Sequence, residues 1–468
     1  MDAVYIYDII FLVIVGSAIA LFLYKNRKRV KVESKIFLMY RTKIGLRLMN
    51  WASKKFSSLW NVLSYVSITF GYFAMASVFI LFYISIRMMT TLVSVPKIPP
   101  IMPLIPYLPQ IFNLPLPPFY FTYWIVIISI VAVTHEFAHG VFARYYKIKI
   151  KSTGFGFLGP FLAAFVEPDE KSMARKSKKA QLSILSAGTF SNFIFAIIFL
   201  LVLQLFFIGC YEQAGIIGYM YAFGQVNVTD IEEIGNYSYE EFLNLSDKEI
   251  ENITETLPVK VNNKTHYLRP ELYSFLEQAK KEKIETMALY SDTPAIRANL
   301  SGAFQKIDDK EIESIEDVYE TLRSYKPGDI IEIQTSEKNY LITLDEHPEN
   351  SSRGYLGIGF PQISGIAVFL SSLTSPFFSP YIYAEPKYNP EILTFIYNLF
   401  FWLILICFSV ALLNMLPLGI LDGGKFIYIT ALTLTGSKKK AEIVYQIAAF
   451  MVLLIFLVLM LVWVSKVF

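Results

Sequence analysis

The 468-residue sequence is poor in cysteine and in charge. Its two cysteines, Cys210 and Cys407, exclude a disulfide framework and a zinc finger built on cysteine. Charged residues make up only 17% of the chain, and the net charge of +3 gives no basic excess for binding nucleic acid. Apolar residues reach 54% and include 39 Phe and 30 Tyr, which excludes a disordered chain. The composition therefore predicts an integral membrane protein with one polar domain.

Six apolar segments are long enough to cross a bilayer, which takes about 20 residues as a helix. They cover residues 4–24, 62–86, 119–143, 182–208, 392–413 and 443–464. In the first segment the basic residues follow the apolar run, and a small-residue cleavage site is missing. We therefore expect a retained membrane anchor there rather than a cleaved signal peptide.

The basic residues between these segments predict their orientation. Residues 25–55 carry 11 Lys/Arg and one acidic residue, and residues 144–179 carry nine Lys/Arg and three acidic residues. Lys425 and residues 438–440 add positive charge between the last two segments. Because positively charged loops stay on the cytoplasmic side, we expect these loops inside and both termini outside.

Two regions then fall on the outer side of the membrane. Residues 96–118 contain nine prolines, which exclude a helix and predict an extended or looped segment at the membrane surface. Residues 211–360 contain 28 Asp/Glu, 14 Lys/Arg and seven N-x-[ST] sequons, and no sequon occurs elsewhere. After this block, prolines interrupt apolar residues 361–383, which predicts an interfacial or re-entrant piece.

The third apolar segment contains the pattern H-E-x-x-H at residues 135–139. Residues four apart share one helix face, so His135 and His139 can chelate a metal ion, with Glu136 beside them as a base. The alternative is two satisfied histidines and a glutamate in a polar bundle interior. Burying Glu136 in a membrane without a nearby cation is costly, which favours the metal site. At the helical rise, His139 lies about 7.5 Å from Arg144 along the axis, near the predicted cytoplasmic side.

A third metal ligand is needed, because catalytic zinc usually takes three protein ligands and leaves one position open. Asp422 is the only acidic residue between Glu391 and Glu442, and two glycines follow it. It comes shortly after the fifth segment, on the same predicted side of the membrane as the histidines. The residues alone leave two interpretations open, a metal ligand or a helix-capping Asp in a loop.

Four motifs in this order resemble the site-2 protease family of intramembrane metalloproteases. They are H-E-F-A-H at 135–139, G-F-G-F-L-G-P at 154–160 leading to V-E-P at 166–168, A-G-T-F-S-N at 187–192, and N-x-x-P at 414–417 leading to L-D-G at 421–423. The resemblance implies that His135, His139 and Asp422 bind one zinc ion and that Glu136 is the general base and later the proton donor. It also implies that Asn414 orients the substrate or lies near the scissile carbonyl.

The second of these motifs resembles the family's membrane-associated β segment. We expect an extended substrate to pair with residues 154–159 as an added strand.

Part of the outer block resembles a PDZ module, from about residue 283 to 360. The resemblance rests on T-P-A-I-R-A-N-L at 293–300, K-P-G-D-I at 326–330 and G-Y-L-G-I at 354–358, although S-G-A-F at 301–304 replaces the usual G-D-x-I. Alternating apolar residues predict strands over 330–334 and 340–344. We expect short helices over 316–324 and 271–283.

These observations predict an α-helical polytopic membrane protein with about six transmembrane helices and an α+β PDZ-like domain. The predicted domains are two N-terminal helices (1–118), core helices with H-E-x-x-H (119–210), the outer acidic domain (211–360), and a core helix with L-D-G followed by the last helix (361–468). The resemblance implies a zinc endopeptidase that cleaves single-span membrane proteins in or near their transmembrane segment. The outer domain would admit substrates already trimmed outside.

Two other functions compete with this prediction. A membrane-anchored zinc protease for soluble clients would need a third ligand in a soluble domain, where the intracellular loops offer only Glu167 and Glu170. A metal transporter or sensor would place further polar ligands on several spans, whereas only Glu136 and Asp422 are predicted to lie deep.

Overall fold

The computed structural model describes residues 3–33, 37–91, 103–112, 114, 116–158, 161–245, 249–250, 253, 255–273, 285–361 and 371–467. The chain divides into two compact units. The first contains Met1–Leu203 and Thr394–Phe468, and the second contains Gln204–Leu393. Cys210 and Cys407 are both free.

The described residues form thirteen α-helices. In chain order they are α1 (Ala3–Lys25), α2 (Leu46–Lys55), α3 (Ser57–Thr91), α4 (Leu108–Ile111), α5 (Phe121–Tyr145), α6 (Glu170–Ala174), α7 (Lys178–Cys210), α8 (Tyr239–Leu243), α9 (Pro294–Arg297), α10 (Ile315–Arg323), α11 (Pro390–Leu413), α12 (Asp422–Thr435) and α13 (Lys438–Val467). Six of them, α1, α3, α5, α7, α11 and α13, are long and apolar enough to cross a membrane. The prediction of a polytopic membrane protein with six apolar helices is confirmed, whereas α12 was not predicted.

A four-stranded antiparallel sheet belongs to the first unit. Its strands β1 (Val30–Glu33), β2 (Phe37–Thr42), β3 (Ile150–Leu158) and β4 (Phe161–Pro168) pair in that order. The hairpin β3–β4 confirms the predicted β segment, except that Gly159 and Pro160 lie outside the described residues. Strands β1 and β2 were missed, because they are short and lie in a loop dominated by basic residues.

Strand β3 lies between β2 and β4, so it pairs on both edges. A Cβ atom on Gly154 would lie only 2.2 Å from the Tyr40 carbonyl oxygen, so glycine allows the close approach of β2 there. The predicted pairing of a substrate with this strand is therefore wrong for residues 154–157, which are paired on both edges. The outer strand on this side of the sheet is β4.

The proline-rich segment contains one helical turn, α4, which corrects the prediction that it excludes helix. Pro109 stands in the first turn, where a missing N–H leaves no helical bond unmade. The described part of the segment contacts the start of α5. The Tyr107 amide donates to the Phe119 carbonyl over 2.7 Å, and the Trp124 indole N–H donates to the Leu104 carbonyl over 3.0 Å.

A buried carboxylate on α1, Asp8, caps the N-terminus of α5. Its oxygens accept hydrogen bonds from the backbone N–H groups of Phe121 at 2.9 Å and Thr122 at 2.8 Å. The Thr122 hydroxyl at 2.6 Å and the Tyr107 hydroxyl also donate to it. An anion at a helix N-terminus satisfies free N–H groups and interacts favourably with the helix dipole. Asp8 is thus a buried carboxylate in an apolar helix, and this role was not predicted from the sequence.

Replacing Asp8 by Ala is expected to destabilise the first unit by about 3 kcal/mol, because four donors, one buried and three partly buried, lose their acceptor. For a unit of this size the loss corresponds to a fall of about 5–10 °C in the apparent Tm, measured on the full chain in detergent. Ser17→Ala on an exposed position of α1 is the control and should leave the Tm unchanged. Equal Tm values for both variants would contradict the capping role.

The second unit consists mainly of β-structure. Its strands are β5 (Tyr211–Ile216), β6 (Met220–Tyr221), β7 (Phe223–Asn227), β8 (Ile231–Ile234), β9 (Tyr237–Ser238), β10 (Leu257–Val261), β11 (Lys264–Leu268), β12 (Thr286–Ser291), β13 (Phe304–Ile307), β14 (Lys310–Glu311), β15 (Ile330–Thr335), β16 (Asn339–Thr343), β17 (Asp345–His347), β18 (Asn350–Tyr355), β19 (Ile358–Gly359) and β20 (Ile382–Pro386). One sheet has the order β7-β12-β11-β10-β8-β9, and another has the order β16-β15-β13-β5-β20 with β14 beside β13. Two-stranded pairs β17–β18 and β19–β6 complete the described strands.

The second sheet contains the strands predicted from the PDZ-like pattern. The segments at 330–334 and 340–344 form β15 and β16, and the predicted helix at 316–324 is α10. The resemblance to a PDZ module itself stays a prediction. The helix predicted at 271–283 falls largely on residues outside the described part of the chain, and residues 270–272 form a 3-10 turn. The first sheet was not predicted.

Candidate metal centre

Three side chains from two helices converge on one point in the first unit. His135 and His139 lie one turn apart on α5, and their Nε2 atoms are 3.0 Å from each other. The Oδ2 atom of Asp422 lies 3.2 Å from the Nε2 atom of His139 and 3.3 Å from that of His135. Donors around a tetrahedral zinc ion at about 2.0–2.1 Å are about 3.3 Å apart. The two nitrogens and one oxygen therefore fit a zinc ion in both chemistry and spacing.

Two glycines bring Asp422 to the histidines. The chain turns after α11 and begins α12 at Asp422, where the Gly423 amide donates to the Asn414 carbonyl over 2.8 Å. A Cβ atom on Gly423 would lie 2.3 Å from the Met415 carbonyl oxygen, and one on Gly424 would lie 2.3 Å from the Leu418 carbonyl oxygen. The backbone therefore approaches itself so closely at Gly423 and Gly424 that no side chain fits at either position. Asp422 lies in the first turn of a helix, not in a loop, and its carboxylate contacts both histidines.

Helix α7 orients both imidazole rings. The Nδ1 atom of His139 is 2.6 Å from the carbonyl oxygen of Ile184, so it carries the proton and leaves the Nε2 lone pair for a metal. The Nδ1 atom of His135 lies 3.1 Å from the side-chain amide of Asn192. The Asn192 Oδ1 atom is buried and has no hydrogen-bond partner in the described part of the chain. If the side-chain amide of Asn192 is rotated by 180°, its Oδ1 atom accepts a hydrogen bond from Nδ1–H of His135. The Nε2 lone pair of His135 is then available for the same metal ion.

Gly188, in the same A-G-T-F-S-N motif, lies directly against the rings. A Cβ atom at this position would be 2.4 Å from the Nε2 atom of His139 and 2.5 Å from that of His135. Gly188 and Asn192 belong to a motif that indicates the family, but no role was predicted for either residue. Their position in that motif was the feature of the sequence that could have indicated a role at the site.

Glu136 is held beside the histidines by the sheet. Its Oε2 atom accepts a hydrogen bond of 2.7 Å from the backbone N–H of Val166, which lies on β4. The side chain is only partly buried and lines two cavities. A carboxylate beside the donor triangle and open to a cavity can exchange a proton with a molecule that enters it.

The two cavities meet at the site but differ in character. The larger, of about 720 Å³, contains His139 and a charged rim made by Lys151, Glu167, Glu170 and Lys425. The smaller, of about 430 Å³, contains His135 and Asn414 and is otherwise mainly apolar, with Ile128, Val131, Ala132, Ala163, Ile406 and Val410 in its wall. Both reach Glu136 and Asp422. Asn414 therefore faces a cavity beside the predicted ligands.

The two loop carboxylates weighed as alternative ligands have other partners. Glu167 accepts from the Ser152 hydroxyl at 2.7 Å and from Arg41 at 3.4 Å, and these bonds lower its pKa. Glu170 pairs with Lys425 at 3.2 Å. In the described part of the chain, the group that could hold a metal consists of His135, His139 and Asp422. This arrangement argues against a soluble-client protease whose third ligand comes from these loops.

Residues 123–458 match the family described as Peptidase family M50. This chain belongs to peptidase family M50. The resemblance to the site-2 protease family is thereby confirmed, since M50 is that family of membrane-embedded metalloproteases. The M50 chain is also 30% identical over 191 residues to an uncharacterized protein of Methanocaldococcus jannaschii. That match covers 39% of this chain and 48% of the relative, so the chain spans about half the length of the curated relative.

Replacing Asn192 by Leu is expected to weaken zinc binding about 10- to 100-fold, because the amide that orients His135 is lost. Titration of the metal-free full chain with zinc measures the change. Thr189→Val is the matched control on α7, since the Thr189 hydroxyl is buried without a hydrogen-bond partner among the described residues. Equal affinities for the two variants would remove Asn192 from the support of the site.

Proposed function

We propose that this M50 protein is an intramembrane zinc endopeptidase that hydrolyses peptide bonds in or near the transmembrane segment of single-span membrane proteins. The proposal rests on one observation above all. Three donor atoms with the spacing of a tetrahedral zinc site lie beside a carboxylate on α5, which is apolar and long enough to cross a membrane. Histidine, histidine and aspartate would hold the ion and leave one position open.

The residues around the site have separate tasks in this proposal. Zinc, when bound, supplies Lewis acidity that makes a water a stronger acid and polarises the peptide carbonyl. Glu136 takes a proton from the attacking water and returns it to the leaving nitrogen. The Val166 N–H holds one oxygen of Glu136 in place, and Ile184 and Asn192 hold the rings of His139 and His135.

The two cavities support a division between water and substrate. The charged rim of the larger cavity would let water reach Glu136 from the cytoplasmic side. The apolar wall of the smaller cavity suits the side chains of a transmembrane segment, and Asn414 in that wall would orient the substrate backbone. Because β4 is the outer strand and Val166 contacts Glu136, an extended substrate would add to β4 rather than to β3.

The proposed topology follows the basic loops. Both termini and residues 211–360 would be extracytoplasmic, and the metal centre would lie within the membrane near the cytoplasmic side. The PDZ-like part of the outer domain would then screen substrates before they enter the membrane site.

The experiment combines metal analysis with cleavage of defined substrates. Full-length protein in lipid vesicles should contain about one zinc per chain and cleave some members of a panel of single-span proteins, but not a soluble casein. A chelator should abolish cleavage, and zinc but not magnesium should restore it. Cleavage of casein alone would favour the soluble-client protease, and zinc flux across the vesicle without cleavage would favour a transporter. Either result would overturn the proposal.

A further inference from the structure

The sequons of this chain are concentrated beyond what composition explains. The chain has 17 asparagines, nine of them in residues 211–360, and seven of those nine begin an N-x-[ST] sequon. None of the eight asparagines elsewhere does so. Ser and Thr together make up 57 of the 468 residues, so chance places about one sequon among nine asparagines. The number of sequons in this block is therefore several times larger than its asparagine content explains.

The structure places the described acceptor asparagines on the surface of the second unit. Six of the seven are described, and all six are exposed: Asn227, Asn236, Asn244, Asn263, Asn299 and Asn350. They lie in turns or at the ends of elements, such as the β8–β9 and β10–β11 turns for Asn236 and Asn263. Sites of this kind let a bulky group be attached without disturbing the sheets or their cores.

Four of these sites also expose the second recognition residue. Asn227, Asn236, Asn263 and Asn350 are each followed two positions later by an exposed hydroxyl residue: Thr229, Ser238, Thr265 and Ser352. The sequon at Asn299 differs. Its Ser301 is only partly exposed, and the hydroxyl donates to Glu337 over 2.6 Å.

We propose that the second unit is N-glycosylated at Asn227, Asn236, Asn263 and Asn350. The co-substrate class is an oligosaccharide activated as a lipid pyrophosphate. In the transfer, the asparagine Nδ2 atom forms a bond to the sugar C1 atom, and the C1–O bond to pyrophosphate breaks. The amide gives one proton to water, and the lipid pyrophosphate leaves with the electron pair of the broken bond. At Asn227 the Nδ2 atom donates an exposed 3.1 Å hydrogen bond to Asp230, and one N–H stays on this atom after the transfer. The glycans would cover turns of the acidic outer domain with hydrophilic groups.

The first test is peptide mapping by mass spectrometry of the full-length chain purified from the cells that produce it. We expect sugar adducts on the four asparagines and none on Asn262 or Asn339, which are exposed in the same block but begin no sequon. Unmodified masses at all four positions would overturn the proposal. Equal modification of Asn262 or Asn339 would overturn it as well, because the attachment would then not follow the sequon.

The second test uses matched variants of the full-length chain produced in yeast membranes. Thr229→Ala and Thr265→Ala keep the acceptor asparagines but destroy their sequons, whereas Thr229→Ser and Thr265→Ser keep the sequons. Each Ala variant should lose the glycan at its own site, and each Ser variant should retain it. Glycans that persist in the Ala variants would contradict the proposal. Neither test depends on protease activity.

Discussion

Replacing Glu136 by Gln is expected to lower peptide cleavage by about 10³-fold while zinc stays near one per chain. Gln has nearly the shape of Glu, and its carbonyl oxygen can still accept the 2.7 Å hydrogen bond from Val166. It cannot take up a proton, so the water would lose its base. The donor atoms of His135, His139 and Asp422 are unchanged. Single-turnover cleavage of a single-span substrate and metal analysis of the same sample measure both effects.

Glu442→Gln is the matched control for this prediction. Glu442 is exposed near the start of α13, so the same change of one oxygen to nitrogen should leave both cleavage and zinc unaltered. Cleavage by the Glu136 variant at the parent rate would exclude Glu136 as the general base. Loss of zinc together with cleavage would show instead that Glu136 supports the metal site.

Replacing Gly188 by Ala is expected to impair the metal site itself. The added methyl group would lie 2.4 Å from the Nε2 atom of His139 and 2.5 Å from that of His135, closer than nonbonded atoms can stand. The rings cannot simply turn aside, because Ile184 holds His139 and Asn192 holds His135. Overpacking of this kind costs about 1–3 kcal/mol, which corresponds to about 5- to 150-fold in zinc affinity. Zinc titration of the full chain should show this loss together with reduced cleavage.

Gly209→Ala provides the same substitution on the same helix. A Cβ atom on Gly209 would meet nothing within 4 Å, so zinc affinity and cleavage should match those of the parent. Parental zinc affinity in the Gly188 variant would show that the rings have room to shift. A loss in both variants would point to a general effect of alanine on α7 rather than to contact with the histidines.

The local parts of the candidate site could be predicted from the sequence. Helical periodicity places residues 135 and 139 on one face wherever the helix lies, so the two histidines form half of a metal site independently of the rest of the fold. The six apolar helices follow equally directly from hydrophobic length. The strands β15 and β16 were predictable because their apolar residues alternate with period two.

Two features, the role of Asp8 and the place of strand β3 in its sheet, depend on contacts between distant segments. Asp8 is one acidic residue in an apolar run, and only the packing of α1 against the start of α5 shows that it caps that helix. The error about substrate pairing arose in the same way. The glycine-rich strand was predictable, but its inner position in the sheet depends on β2, which a loop more than 100 residues earlier contributes.

By itself, the sequence determined a membrane protein with H-E-x-x-H in an apolar helix, because hydrophobic length and helical period are local properties. The residues around Asp422 alone left open whether it is a ligand or a capping residue, and the resemblance to the site-2 protease family implied a ligand. Only the tertiary structure shows that the Asp422 carboxylate contacts the histidines, because Asp422 is 283 residues from His139 in the sequence. Close backbone contacts at Gly423 and Gly424 place Asp422 there. The tautomers of the histidines and the anchoring of Glu136 likewise depend on α7 and β4, whose contacts no local pattern specifies.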